Sequence, residues 1–135
     1  MPAVEIRIGI EHHLTLVNFD DPFTDAQFEA VVEALSPITS MVKSHPTGVF
    51  GARTMMGQYR NVPTIRVVSA YVDQVRGEVV RRLAEAGVPI STKYPEWNPH
   101  VSKPLPEWVP GYEVPFATFM DVRWRSRPKI VSIEL

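Results

Sequence analysis

The chain contains four histidines, the side chains best suited to proton transfer near neutral pH. Three of them are followed two positions later by a hydroxyl residue, in His13-Leu14-Thr15, His45-Pro46-Thr47 and His100-Val101-Ser102. On a β-strand, residues i and i+2 point to the same face, about 7 Å apart along the strand. A strand of this pattern therefore presents an imidazole and a hydroxyl side by side on one surface.

Two such strands side by side would direct two imidazoles and two hydroxyls into one cleft. Hydroxyl and imidazolium groups donate hydrogen bonds to phosphate oxygens. One imidazole can accept a proton from an attacking hydroxyl or water while the other protonates the leaving oxygen. This pattern predicts phosphate chemistry that requires neither a metal nor a cofactor.

The segment His45-Pro46-Thr47 is the poorest copy of the pattern. Pro46 cannot donate to a sheet ladder, and Gly48 follows directly. We therefore expect a turn there, and His13 and His100 remain as the functional pair.

His12 points away from His13 if both lie on one strand, so we expect it to be structural or solvent-exposed. The same alternation disfavours a metal site built from His12, His13, Asp20 and Asp21, because adjacent residues face opposite sides of a strand.

Alternating and helical hydrophobic patterns divide the chain into short elements. The predicted strands are Val4–Ile10, His13–Phe19, Ile38–Lys43, Val49–Ala52, Thr54–Tyr59 and Thr64–Val68. One helix begins at Thr24, which forms a capping box with Gln27, and stops at Pro37. A second covers about Tyr71–Ala86, with Gly87 after its end. Its predicted buried stripe is formed by Val72, Val75, Val79 and Leu83. A final hairpin joins Phe116–Trp124 to Lys129–Leu135, and its basic residues Arg123, Arg125, Arg127 and Lys129 favour a solvated face.

Composition bounds the class of protein. The 135 residues predict one domain, 1–135, with 44% hydrophobic residues and a net charge of −1. That charge argues against holding duplex nucleic acid by bulk electrostatics, and the lack of cysteine excludes thiol chemistry. The apolar runs are too short for a membrane span, and Glu5 and Arg7 interrupt the first one, so no signal peptide is predicted. We expect a cytoplasmic protein with no membrane partner.

At the two motifs, His13-Leu14-Thr15-Leu16 and Trp97-Asn98-Pro99-His100-Val101-Ser102, the sequence resembles the 2H phosphoesterase superfamily, which includes the bacterial RNA 2′-5′ ligase-like proteins. Members of that superfamily have two lobes, each supplying one motif to a central cleft, and cleave cyclic or 2′-linked nucleotide phosphodiesters without a metal. The resemblance implies an α+β fold of mostly antiparallel sheets with two main helices around the cleft. It also implies that His13 and His100 act as the acid/base pair and that Thr15 and Ser102 bind phosphate oxygens.

Two features depart from the superfamily pattern. Only 12 residues precede His13, where members commonly have a strand and a helix, so the first lobe must be trimmed or rearranged. Lys103 follows Ser102 at a usually apolar position, and it either reaches the phosphate or points into water. The aromatic residues Trp97 and Tyr94 beside the second motif are further candidates for substrate binding, by stacking on a base, with loop packing as the alternative.

Three functions follow from these observations. The first is a phosphodiesterase acting on a nucleotide or short oligonucleotide with a 2′,3′-cyclic phosphate, a 2′-5′ linkage or a cyclic backbone. The second is a non-catalytic module that sequesters such a nucleotide in the same cleft. The third is a structural protein in which the motifs are accidental. Neither the base, the linkage nor the oligomeric state can be deduced from the residues.

Overall fold

A computed structural model describes residues 4–6, 12–19, 24–41, 47–57, 59–92, 96–116 and 130–134. For residues 4–6, 13, 25, 39–41 and 130–134 it describes the backbone alone. All statements below concern these parts of the chain.

The fold is α+β, with an antiparallel sheet and two main helices. The strands are β1 (Val4–Ile6), β2 (His13–Asn18), β3 (Val49–Met56), β4 (Val62–Val68), β5 (His100–Ser102) and β6 (Ile130–Glu134). The helices are α1 (Asp25–Leu35) and α2 (Ala70–Glu85), and a 3₁₀-helix over Ser36–Met41 follows α1. The strand order is β1-β6-β2-β5-β4-β3, and every neighbouring pair is antiparallel.

The centre of the sheet is held by three residues that lie in register on β2, β5 and β4. Val101 pairs with Leu14 on one side and with Ile65 on the other, and all three are 0% exposed. They belong to one hydrophobic core with the buried stripe of α2, formed by Val72, Val75, Val79 and Leu83. The predicted stripe is thus confirmed, and α2 packs on β2, the strand that carries the first motif.

The predicted start of α1 and the predicted end of α2 are also confirmed. Thr24 accepts a hydrogen bond from the Gln27 N–H at 3.2 Å, and the Gln27 side chain accepts one from the Thr24 N–H at 3.1 Å. Gly87 has φ +73°, the left-handed conformation that ends a helix. Ser69, which was not predicted as a cap, accepts from the Val72 N–H and donates to the Thr47 carbonyl, tying α2 to the start of β3.

Two predictions of local structure were wrong. Ile38 does not begin a strand, because the chain continues from α1 into the 3₁₀-helix and buries Ile38 completely. Pro37 is compatible with this because it lies in the first turn, where its missing N–H is not needed. The predicted strands Val49–Ala52 and Thr54–Tyr59 form one strand, β3, with an irregularity in pairing between Phe50 and Arg53.

Strand β2 departs from strict alternation. Its register against β6 shifts between Thr15 and Val17, and as a result Leu16 and Val17 are both buried. A bulge of this kind adds one residue to a strand and turns the following side chains. Strict alternation along the predicted strand would place Val17 on the same face as Thr15, but Val17 is buried instead.

The end of the chain pairs differently from the predicted hairpin. β6 lies between β1 and β2, and most of the predicted partner strand, 117–124, lies outside the described residues. The same holds for the basic cluster at 123–129. The first strand is described over Val4–Ile6 only.

Candidate active site

The sheet brings the two His-x-hydroxyl motifs to adjacent positions. Leu14 of β2 lies opposite Val101 of β5. Because antiparallel strands run in opposite directions, Thr15 then takes the position opposite His100, and His13 the position opposite Ser102. Positions directly opposite each other have Cβ atoms about 5 Å apart. The backbone therefore juxtaposes the two motifs, although they are 87 positions apart in the sequence.

Strand β4 extends this row of polar positions. Thr64 pairs with Ser102, and Arg66 pairs with His100. Thr64 is almost fully buried and donates its hydroxyl hydrogen to the Thr54 carbonyl at 3.1 Å. Thr64 was not predicted to belong to the site, since nothing in the sequence distinguishes it from an ordinary strand threonine.

A cleft of about 980 Å³ opens over these positions. Thr15, Thr64, His100 and Ser102 all line it, together with Trp97 and Arg76. A cleft of this size matches the volume of pockets that hold small organic ligands. Three of the four predicted catalytic residues thus share one cleft, and the side chain of the fourth, His13, lies outside the described part of the structure.

The His100 ring is oriented by its own loop. Nδ1 lies 2.8 Å from the Asn98 carbonyl oxygen. A carbonyl can only accept, so Nδ1 carries the proton in this contact. Nε2 is then the nitrogen free to exchange a proton, both when the ring is neutral and when it is charged. Asn98 therefore positions His100. The motif Trp97-Asn98-Pro99-His100 does not reveal this role, because the contact is made by the backbone carbonyl of Asn98 and not by its side chain.

Trp97 anchors the loop to α2. Its Nε1–H donates to Asp73 Oδ1 at 2.9 Å, and the Arg76 guanidinium lies 5.0 Å from the centroid of its ring. This is the distance of a cation–π contact. These two contacts agree with the loop packing that was the alternative prediction for Trp97. Stacking of Trp97 on a base stays a prediction. Arg76 was missed because, in the sequence, it belongs to the polar side of an amphipathic helix.

The remaining candidates lie apart from these side chains or outside the described residues. Lys103 is exposed, has φ +52° and donates its N–H to the Pro63 carbonyl, and it does not line the cleft. Tyr94 lies outside the described residues, as do Asp20, Asp21 and His45. His12 packs edge to face on Trp108, with ring centroids 4.9 Å apart, in keeping with the structural role expected for it.

Comparisons with protein-family models, with curated proteins and with solved structures found no match to this chain. Within the described ranges, no helix combines the length and the apolar character needed to cross a bilayer. The same ranges hold no group of three or more His, Asp or Glu side chains arranged to bind a metal ion.

Proposed function

We propose that the chain is a phosphodiesterase that hydrolyses a cyclic or 2′-linked nucleotide phosphodiester by two-histidine acid/base catalysis, as in the 2H phosphoesterases that its motifs resemble. The substrate class comprises 2′,3′-cyclic phosphates, 2′-5′ linkages and cyclic oligonucleotides. The two-lobed arrangement of that superfamily, with one motif contributed by each half of the sheet, belongs to the same proposal.

One observation carries this proposal: the Leu14–Val101 register that sets His13-x-Thr15 against His100-x-Ser102. Unrelated strand histidines have no reason to meet in such a register, with an apolar residue of each strand buried between them. The tethered Nδ1 of His100 adds to it, because a fixed ring with one free nitrogen is what proton transfer requires.

The reaction would proceed by attack of water on phosphorus. One histidine accepts the proton of the water as the new P–O bond forms. The other, which starts protonated, donates a proton to the sugar oxygen as the old P–O bond breaks. The first histidine then releases its proton to solvent and the second takes one up from solvent, which restores the starting state. Thr15 and Ser102 donate hydrogen bonds to the non-bridging oxygens, whose negative charge grows in the transition state. Either histidine can take either role, depending on how the scissile bond lies in the cleft.

The test compares two half-buried histidines of this chain. For a phosphodiester that the unmodified protein hydrolyses, we expect His100→Ala to lower the turnover by a factor of about 10² to 10⁴, the usual contribution of a general acid or base. His12→Ala, which alters a ring contact with Trp108 outside the cleft, serves as the matched control and should retain turnover. Substrates should include 2′,3′-cyclic mononucleotides, 2′-5′ dinucleotides and cyclic dinucleotides, each with and without chelator.

The products distinguish the proposal from its alternative. Hydrolysis that survives chelation and is lost in His100→Ala supports the phosphodiesterase. A ligand that binds and is recovered chemically intact after long incubation indicates a sequestering module instead. Turnover by His100→Ala equal to that of the unmodified protein would refute the mechanism.

A further inference from the structure

Arg76 brings a positive charge to the cleft. Its side chain is half-buried and lines the cleft with His100 and Ser102. Among the described residues, its guanidinium forms no ion pair and no hydrogen bond, and its buried Nε has no partner. Other arginines nearby are satisfied: Arg81 pairs with Glu78 and Glu85 on the same helix.

Such a state is costly for a protein. A buried donor without a partner loses its hydrogen bonds to water, and a half-buried charge loses part of its hydration. An arginine that is merely structural would be expected to reach a carboxylate or a carbonyl. Asp73, three residues before Arg76 on α2, accepts a hydrogen bond from the Trp97 Nε1–H and forms no ion pair with Arg76 among the described residues.

Trp97 holds the guanidinium in place. The cation–π contact at 5.0 Å restricts the side chain of Arg76, and the Asp73 bond restricts the indole. A preorganised guanidinium is well suited to a phosphate, because its planar donors match two phosphate oxygens at once. Glu96 also lines the cleft, but it is exposed, so water and salt screen its charge.

The position of Arg76 relative to the motifs sets what it could recognise. Arg76 lines the same cleft as Thr15, His100 and Ser102. The cleft thus holds two phosphate-compatible groups, the histidine–hydroxyl positions and Arg76, on one continuous lining that a single ligand can contact.

We propose that Arg76 binds a second phosphate of the substrate, so that the cleft selects nucleotides carrying a phosphate in addition to the one that is cleaved. This inference rests on the proposed function for the identity of the first phosphate. It assigns Trp97 as a positioning residue for Arg76.

The test uses a pair of ligands that differ by one phosphate. For each of the four bases, a nucleoside 2′,3′-cyclic phosphate is compared with its 5′-phosphorylated form. Dissociation constants are measured by calorimetry in the His100→Ala protein, and kcat/KM is measured in the protein with His100 intact. Each measurement is repeated with Arg76→Gln and with Arg81→Gln, the matched control on the exposed side of α2. Thermal denaturation checks that each variant is folded.

We expect the 5′-phosphate to tighten binding about 10- to 100-fold, the effect usual for hydrogen bonds to a charged group. Arg76→Gln should bring the ratio of the two dissociation constants close to one, whereas Arg81→Gln should leave that ratio unchanged. If Arg76 has a merely structural role, Arg76→Gln should weaken the binding of both ligands by the same factor. The ratio of the two dissociation constants would then be unchanged, and that result would overturn the proposal. So would a ratio near one in the unmodified protein, or no binding of either ligand.

Failure of this inference and failure of the proposed function give different results. Equal hydrolysis of both ligands, dependent on His100 and indifferent to Arg76, would leave the phosphodiesterase standing and refute the second phosphate site. Tighter binding of the 5′-phosphorylated ligand through Arg76, with no hydrolysis, would support the phosphate site and refute the catalytic proposal.

Discussion

Leu14 is the residue through which the two motif strands meet, and its truncation tests the fold and the site together. Its side chain is 0% exposed and lies opposite Val101, which is equally buried. Leu14→Ala removes three carbon atoms, worth about 2.4 kcal/mol of transfer free energy at about 0.8 kcal/mol each. The cavity left behind adds to this loss, so we expect the free energy of unfolding to fall by about 3 to 4 kcal/mol.

The measurement is urea unfolding followed by tryptophan fluorescence and by circular dichroism, which together check two-state behaviour. Leu105→Ala is the matched control, because Leu105 is 36% exposed and should cost at most about 1 kcal/mol. Leu14→Ile keeps the volume and should cost less than about 1.5 kcal/mol.

The outcome decides whether the motifs are joined as described. A loss of about 3 kcal/mol is a large part of the stability of a domain of this size, so Leu14→Ala should also unfold at a clearly lower temperature than the control. If Leu14→Ala is no less stable than Leu105→Ala, then β2 and β5 do not meet through this contact, and the juxtaposition of the two motifs is refuted.

Further predictions concern the backbone and a buried phenol. Gly77→Ala in the interior of α2, where an added Cβ meets no atom within 4 Å, should stabilise the protein by about 0.5 to 1 kcal/mol. Gly87→Ala at φ +73° should destabilise the protein by about 1 to 2 kcal/mol. Thermal denaturation of the two glycine variants is the measurement, and melting temperatures that shift in the same direction would contradict the assigned end of α2. Burial raises the pKa of Tyr71 from 10.0 to about 12, so the unfolded state ionises first and stability should decline as pH rises from 10 to 12. Tyr71→Phe should flatten that decline in pH-dependent urea unfolding, and a slope unchanged from the parent protein would exclude the Tyr71 phenol as its source.

Local chemistry predicted the elements well where a residue acts on its immediate neighbours. Thr24 with Gln27, and Gly87 after α2, operate within one turn of helix, so their spacing in the sequence is sufficient. The prediction of a strand failed at Ile38. Despite the β propensity of this residue, it lies in the 3₁₀-helix that follows α1, and its side chain is buried there. The prediction also failed at Val17, because the shift in register against β6 depends on a partner more than 100 positions away.

The residues alone predicted the kind of chemistry that we propose, because histidine and hydroxyl two positions apart on a strand share a face whatever the rest of the chain does. They also determined the buried residues of α2, since helical periodicity is a local property. The insertion of β5 between β2 and β4, which places His100 opposite Thr15 and adds Thr64 to the row, could be seen only in the folded chain. The same holds for Arg76 of α2, which lies over Trp97 and lines the same cleft. Strand pairing and side-chain contacts between elements depend on the packing of the whole core, and no short stretch of residues encodes that packing.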